Sequence, residues 1–383
     1  MTAESTPGSG ATGPGTPGEP AAEGPRRRAG GKRRGPRGKR SGVRIAAWTA
    51  AGVVALGGTG LGYVYVTLNG NISSVDIDQV LGTDRPDKAD DGSENILVLG
   101  SDTRAGGNKD LGGGADDGSA RSDTAMIVHV HEGREKASVV SLPRDTLIDR
   151  PECTDADGGT HPAARDVMFN SAYSTGGAPC AVKTVEEITD LRMDHYLEVD
   201  FSGFQELIDE LGGVEITTSR AIDDPDSHLE LEAGTHRLDG EQALGLVRTR
   251  HGVGDGSDLG RIQLQQAFVK ALVKQVKEVG ILTNPKKLYD LADTATRAVT
   301  TDSGLGSVNS LISFANGLKG IGPDDLHMVT MPVRYDPADP NRVLVQEDKA
   351  RLVWKALKED RPIPEAATED SATGEAADVV SAP

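Results

Sequence analysis

The sequence predicts an α/β domain between about Glu94 and Asp360. Three observations carry that prediction. Short apolar runs alternate with longer segments of helical periodicity, the order that builds a sheet flanked by helices. Asn95–Gly100 (NILVLG), Thr124–His131 (TAMIVHVH) and Ala137–Leu142 (ASVVSL) have strand length, and the second alternates so that Thr124, Met126, Val128 and Val130 share one face. Each of these runs adjoins charged residues at one end. Ser101, Asp102, Thr103 and Arg104 follow the first, Arg121, Ser122 and Asp123 precede the second, and Pro143, Arg144 and Asp145 follow the third.

Ahead of the domain the chain changes character twice. The total formal charge is -18, but residues 1–44 carry ten Lys and Arg against three Asp and Glu. That tail is therefore +7 and the remainder -25, an acidic balance that argues against nucleic acid as a partner. Residues 1–25 are Gly, Pro, Thr, Ser, Ala and Glu, too poor in apolar side chains to offset ordering entropy, so 1–44 reads as a disordered basic cytoplasmic tail. Residues 45–68 carry no charge and are long enough to cross a bilayer core of roughly 30 Å. Trp48 lies near one end, and Tyr63 and Tyr65 near the other. A cleaved signal peptide is the competing reading. The segment is long for one and lacks a small-residue cleavage site, so a transmembrane helix with the N-terminus inside is preferred. Residues 69–93 are polar and acidic and read as an extracytoplasmic stem.

Within the domain, Ala181–Thr189 is expected to be helical and His195–Phe201 (HYLEVDF) a strand. Ser202 and Gln205 stand in capping-box spacing before a helix that Gly212-Gly213 would close at Leu211. Val214–Thr217 is a strand, and Asp239 with Gln242 can cap the helix carrying Ala243–Val247. Arg261–Val279 is the longest helix, amphipathic through Ile262, Leu264, Phe268, Leu272 and Val276. Helices near Pro285–Val299 and Leu305–Leu318, a strand at Leu326–Val333 and a helix at Glu347–Lys358 complete the domain. Residues 361–383 are rich in Ala, Glu and Pro and read as a second disordered tail.

The residues at the strand exits suggest a metal-assisted phosphate site. Arg248-Thr249-Arg250 reads Arg-x-Arg, which in an extended segment would aim two guanidinium forks at one ligand. Arg261 starts the long helix, where backbone N–H groups also favour an anion. Arg121 and Arg144 bring the set to five. One such Arg would be an ordinary surface ion pair in an acidic protein; five at strand exits and helix starts point to phosphate. Asp102 and Asp123, as two hard carboxylates beside phosphate oxygens, suit Mg²⁺.

The segments NILVLGSDTR, RSDTAMIV, SLPRDT, FNSAYSTGG, DFSGFQELIDELGGVEI, LDGEQALGLVRTRH and DLGRIQLQQ, in this order, resemble the LytR–CpsA–Psr family over about residues 94–280. The resemblance implies an α/β/α sandwich with a central mixed sheet in an extracytoplasmic, Mg²⁺-dependent phosphotransferase. Such enzymes move a glycopolymer from a polyprenyl pyrophosphate carrier onto peptidoglycan as a phosphodiester. By motif, Asp102 and Asp123 become the metal-site acids, and Arg121, Arg144, Arg248 and Arg250 hold the pyrophosphate. Arg261 and Gln265 line the same site. An apolar slot for the polyprenyl tail is implied, with Phe169, Phe204, Leu207 and Phe268 as candidates. Many members read Arg-x-x-Arg-Gln where this chain has Arg261, Leu264 and Gln265, so a phosphate contact from position 264 is in question. Hydrolysis of the carrier, and non-catalytic binding or regulation, are the competing functions.

Cys153 and Cys180 flank the loop after the third strand. In an exported domain they make one disulfide, worth roughly 3 kcal/mol by loop closure. His129 and His131 lie on one face of a strand, where a solvated or helix-covered polar face is preferred to a metal pair.

Overall fold

The computed structural model describes residues 59–101, 122–251, 253–254, 256–279, 284–373 and 375–382. The basic tail, most of the predicted span at 45–68, and both Asp102 and Arg121 lie outside the described residues. Residues 59–71 are helical. Among the described residues, no helix is long and apolar enough to cross a membrane.

The centre is a mixed seven-stranded sheet. Its strands are β1 (Ser73–Val75), β2 (Glu94–Ser101), β3 (Ser122–Val130), β4 (Ala137–Ser141), β5 (His195–Asp200), β6 (Val299–Asp302) and β7 (Leu326–Thr330). They stand in the order β1-β6-β5-β2-β3-β4-β7. β2 runs antiparallel to β3 and parallel to β5, and β4 runs antiparallel to β3 and parallel to β7. Strand alternation explains the layers on either side. Leu97, Leu99, Ala125 and Ile127 enter one core with Ala181, Val182 and Val185 of α1 (Asn170–Thr189). Ile96, Val98, Val128 and Val130 face the other side, against Phe314, Leu318 and Ile321. Leu97, Leu99 and Ile127 are 0% exposed, and full burial of such a side chain stabilises by about 1.5–3 kcal/mol.

A second core joins α2 (Phe201–Leu211), α3 (Gly240–Arg248) and α4 (Asp258–Glu278) to the strand Val214–Thr218 and its antiparallel partner Gly234–Leu238. The capping box of α3 forms as the spacing predicts, with Asp239 accepting from the Gln242 N–H. The cap of α2 lies two residues earlier than the sequence suggests, at Asp200 in place of Ser202. Asp200, extended at the end of β5, accepts from Gly203 N at 2.8 Å and is the cap, while Ser202 donates to the same carboxylate. Gly203 is required by close approach, since a Cβ there would meet Ala298 Cβ at 2.4 Å, at the end of α5 (Pro285–Ala298).

Two boundary expectations are corrected. Residues 69–93 are part of the domain: β1 pairs parallel with β6, and Ile77 and Leu81 are buried in the first core. Arg85 is drawn in with them and donates to Glu186 and to Met193 O. Residues 361–373 and 375–382 are parts of the fold. Ile363 and Ala367 enter the first core, Ala376, Val379 and Val380 enter the second, and Val380 pairs with Thr218. The composition of this tail is polar, yet a few spaced apolar residues suffice because both cores already offer them a surface.

Cys153 and Cys180 are joined, with Cα atoms 5.3 Å apart. Cys180 lies in α1 after the break at Gly176-Gly177, and both cysteines are buried. Non-reducing peptide mass spectrometry of envelope-derived protein is expected to find Cys153 linked to Cys180, and free thiols at both positions would contradict the bridge.

Candidate active site

The antiparallel pairing of β2 with β3 sets Ser101 beside Ser122, so the end of one strand and the start of the next share a rim. β4 delivers Arg144 and Asp145 to the same edge. Asp258 and Arg261 arrive on the first turn of α4, which Ser257 caps through the Gly260 N–H.

The described site residues form one charged knot. Arg144 Nη1 donates to Asp123 Oδ1. Arg261 Nη2 donates to the Asp123 backbone carbonyl at 2.9 Å and to Asp258 Oδ1. Arg250 Nη2 reaches the same Asp258 oxygen at 3.3 Å. The Arg144 N–H donates to Asp258 Oδ2 at 3.2 Å, and its Nε lies 3.5 Å from Oδ1. Gln265 Nε2 donates to Thr124 Oγ1 at 3.0 Å and to Val247 O at 2.9 Å, which ties α4 to both β3 and α3. Asp258 is thus the anion on which three guanidinium groups converge. Sequence reasoning passed over it, although a carboxylate three residues before Arg261 on a helix start was the available signal.

The electrostatics favour an anionic ligand. Burial opposes the charge on Asp123, but Arg144, Arg261 and Arg250 outweigh it and hold its pKa below the usual carboxylate value. Burial, with Arg261 and Arg144 beside it, brings the Arg250 guanidinium down to about 10. A cation destabilised by burial and by its neighbours gains from an incoming phosphate. The buried Nε atoms of Arg144 and Arg261 have no hydrogen-bond acceptor among the described residues. Asp145 is pushed up by burial and by Asp258, against Arg144, Arg250 and Arg342.

A cavity of about 510 Å³ opens on this knot, lined by Arg144, Asp145, Arg250, Asp258, Tyr335 and Arg342. Tyr335 and Arg342 were not singled out in the sequence; they arrive from a strand and loop near the C-terminal end of the fold. Beneath the rim, Ser101 Oγ and Tyr173 Oη lie 3.0 Å apart, and Tyr173 donates to Glu198. Burial raises the Glu198 pKa, and burial with the Glu198 charge pushes the Tyr173 phenol well above its usual value. Tyr173 therefore remains a protonated donor directly beside Ser101 at the end of β2.

Two sequence expectations change. Arg248 and Arg250 are not parallel prongs of an extended segment. Arg248 is the last residue of α3 and lies over the Phe201 ring at 5.1 Å, while the chain turns at Thr249 and carries Arg250 to Asp258. Leu264, where many family members carry Arg, is 0% exposed and packs within the second core. Of the suggested lipid-slot residues, Phe268 lies in the second core with the half-buried Phe204 tilted against it, ring centroids 5.6 Å apart, whereas Phe169 lies in the first.

Known proteins share the sequence and fold of this chain. The chain is 32% identical over 350 residues to the cell wall biosynthesis protein LcpA of Corynebacterium glutamicum, covering 84% of this chain and 67% of that protein. It is 28% identical over 329 residues to the polyisoprenyl-teichoic acid–peptidoglycan teichoic acid transferase TagT of Bacillus subtilis, covering 83% and 94%. A solved structure of TagT bound to LI-WTA superposes with a TM-score of 0.52 at 25% identity, covering 73% of this chain and 96% of that one. The LytR_cpsA_psr family model matches residues 64–359, and the chain belongs to that family.

Proposed function

We propose that the protein is an extracytoplasmic phosphotransferase that attaches a glycopolymer from a polyprenyl pyrophosphate carrier to peptidoglycan through a phosphodiester. The observation that carries this reading is the gathering of Arg144, Arg250 and Arg261 around Asp258 and Asp123 at the mouth of one cavity. The likeness to TagT, whose name states such a transfer, supports it. The basic tail and the uncharged run at 45–68 support a single-pass anchor with the domain outside the cytoplasm. Leu61, Tyr63 and Val66, at least 69% exposed large apolar side chains at the end of that run, fit a lipid surroundings.

Arg144 and Arg250 bind the diphosphate oxygens, because a guanidinium is planar, permanently charged and matched to phosphate. Arg261 and Asp258 hold those two in place. Mg²⁺ suits one or two carboxylates together with substrate phosphate oxygens, and the ionised Asp123, paired in this role with Asp102, fits that donor set. When bound, the ion neutralises charge on the transferring phosphoryl and the departing phosphate. Arg121 joins the phosphate contacts by its place in the motif, and Arg248 adds positive charge from the end of α3.

The decisive assay supplies purified full-length protein with a lipid-linked glycopolymer donor, with and without a peptidoglycan acceptor. Glycan-dependent loss of donor with a new phosphodiester is expected. Equal donor turnover without acceptor would make the protein a hydrolase, and binding without turnover would make it a carrier-binding or regulatory protein.

A further inference from the structure

At the end of the sheet opposite the active-site rim, three side chains from distant parts of the chain converge. β3 ends at Val130, and His129 with the extended His131 just beyond it places two imidazoles on one face, because side chains of an extended chain repeat every second residue. Asp360 comes from just beyond the helix Glu347–Lys358. His129 Nε2 lies 3.0 Å and His131 Nδ1 2.6 Å from the same Asp360 Oδ1. The two rings are 4.7 Å apart and 86° from coplanar, so their nitrogens approach the carboxylate from different directions.

The outer atom of every member is anchored. Asn95 Oδ1 lies 2.8 Å from His129 Nδ1, and Asn95 is oriented by its own amide, which donates to Arg192 O at 3.0 Å. The Asn95 oxygen must therefore accept, and the His129 proton sits on Nδ1. His129 Nε2 then presents a lone pair to a carboxylate oxygen, inside a side chain 1% exposed, where burial disfavours the imidazolium. His131 Nε2 is 2.9 Å from Ser138 Oγ. Asp360 Oδ2 accepts from Glu132 N at 3.1 Å. Asp360 also holds a left-handed backbone, φ 47°, at a position where Gly would be free of strain. Two imidazole nitrogens and a carboxylate that converge, each held by a second partner, are the arrangement metal sites use.

We infer that His129 Nε2, His131 Nδ1 and the Asp360 carboxylate bind a late first-row divalent cation of the Zn²⁺ type. Two imidazoles with one carboxylate select such an ion over Mg²⁺, which prefers oxygen ligands. The side chains of His131 and Asp360 are each 16% exposed, so water completes the coordination. The ion would clasp the end of the C-terminal helix to the sheet, remote from Asp123 and structural rather than catalytic.

The test titrates untagged, chelator-treated, full-length protein in detergent with Co²⁺ alone. One equivalent should bind with the visible absorption of a tetrahedral nitrogen–oxygen site, and Zn²⁺ should displace it. The melting temperature should rise with metal concentration, because the ion binds only the folded chain. Asp360→Asn and His131→Gln, both at partly exposed side chains, should abolish the band. Ser138→Ala, which removes only an outer partner, should weaken binding about 10–100-fold. His251→Ala and Asp123→Ala should keep the band, which separates this site from the Asp224, Asp226 and His251 group and from the rim. Metal-free melting curves establish that each variant folds. Absence of Co²⁺ binding, equal affinity in Asp360→Asn and His131→Gln, or loss of the band in His251→Ala instead would each overturn the inference.

Discussion

Asp123→Ala is expected to lose Mg²⁺-dependent transfer by on the order of 10²–10³ in rate, the usual cost of removing one well-placed electrostatic group. Binding of the donor lipid without metal should survive. The structure sharpens this expectation, because the Asp123 carboxylate accepts from Arg144 and is held ionised by three guanidinium groups. Its removal deletes a negative charge beside the incoming diphosphate and releases Arg144 to bind it. Binding and transfer should therefore separate: affinity is kept or raised while turnover and its response to Mg²⁺ collapse. Donor-lipid binding in chelator, measured beside transfer across a Mg²⁺ titration, reads both quantities. Near-normal Mg²⁺-dependent transfer by the variant would remove Asp123 from the metal site.

Arg250→Ala should fail in the other way, losing donor affinity and turnover together. Arg250 lines the cavity, and burial and like-charged neighbours already depress its pKa, so a bound phosphate relieves an existing strain. Losing a contact that is made in the ground state and strengthens in the transition state lowers affinity as well as rate. The transfer loss should again be on the order of 10²–10³. Arg248→Ala provides the contrast. Arg248 rests on Phe201 at the end of α3, outside the lining of this cavity, so its effect should be the smaller of the two. Equal binding and transfer in wild type and Arg250→Ala would place the diphosphate elsewhere.

Much of this was legible in order along the chain. The strands at β2, β3 and β4 follow from apolar alternation, and the capping box of α3 from Asp239 and Gln242, because those signals depend on neighbours a few residues apart. The Arg and Asp residues at the strand exits suggested phosphate chemistry by type alone. What could not be read was their mutual arrangement. Asp258 looks like an ordinary first-turn acid until β3, β4 and α4 bring Asp123, Arg144 and Arg261 around it, and Arg261 meets Asp123 across 138 residues of sequence.

The sequence by itself determined the α/β class, the uncharged run before the domain, the cysteine pair and the family resemblance. Tertiary structure decided which charges share one pocket. It turned Arg248 away from Arg250, buried Leu264 in the second core and drew both flanking segments into the fold. The physical reason is range. Periodicity and caps are written in adjacent residues, whereas a charge cluster or a core surface that recruits Val380 exists only after distant strands have paired.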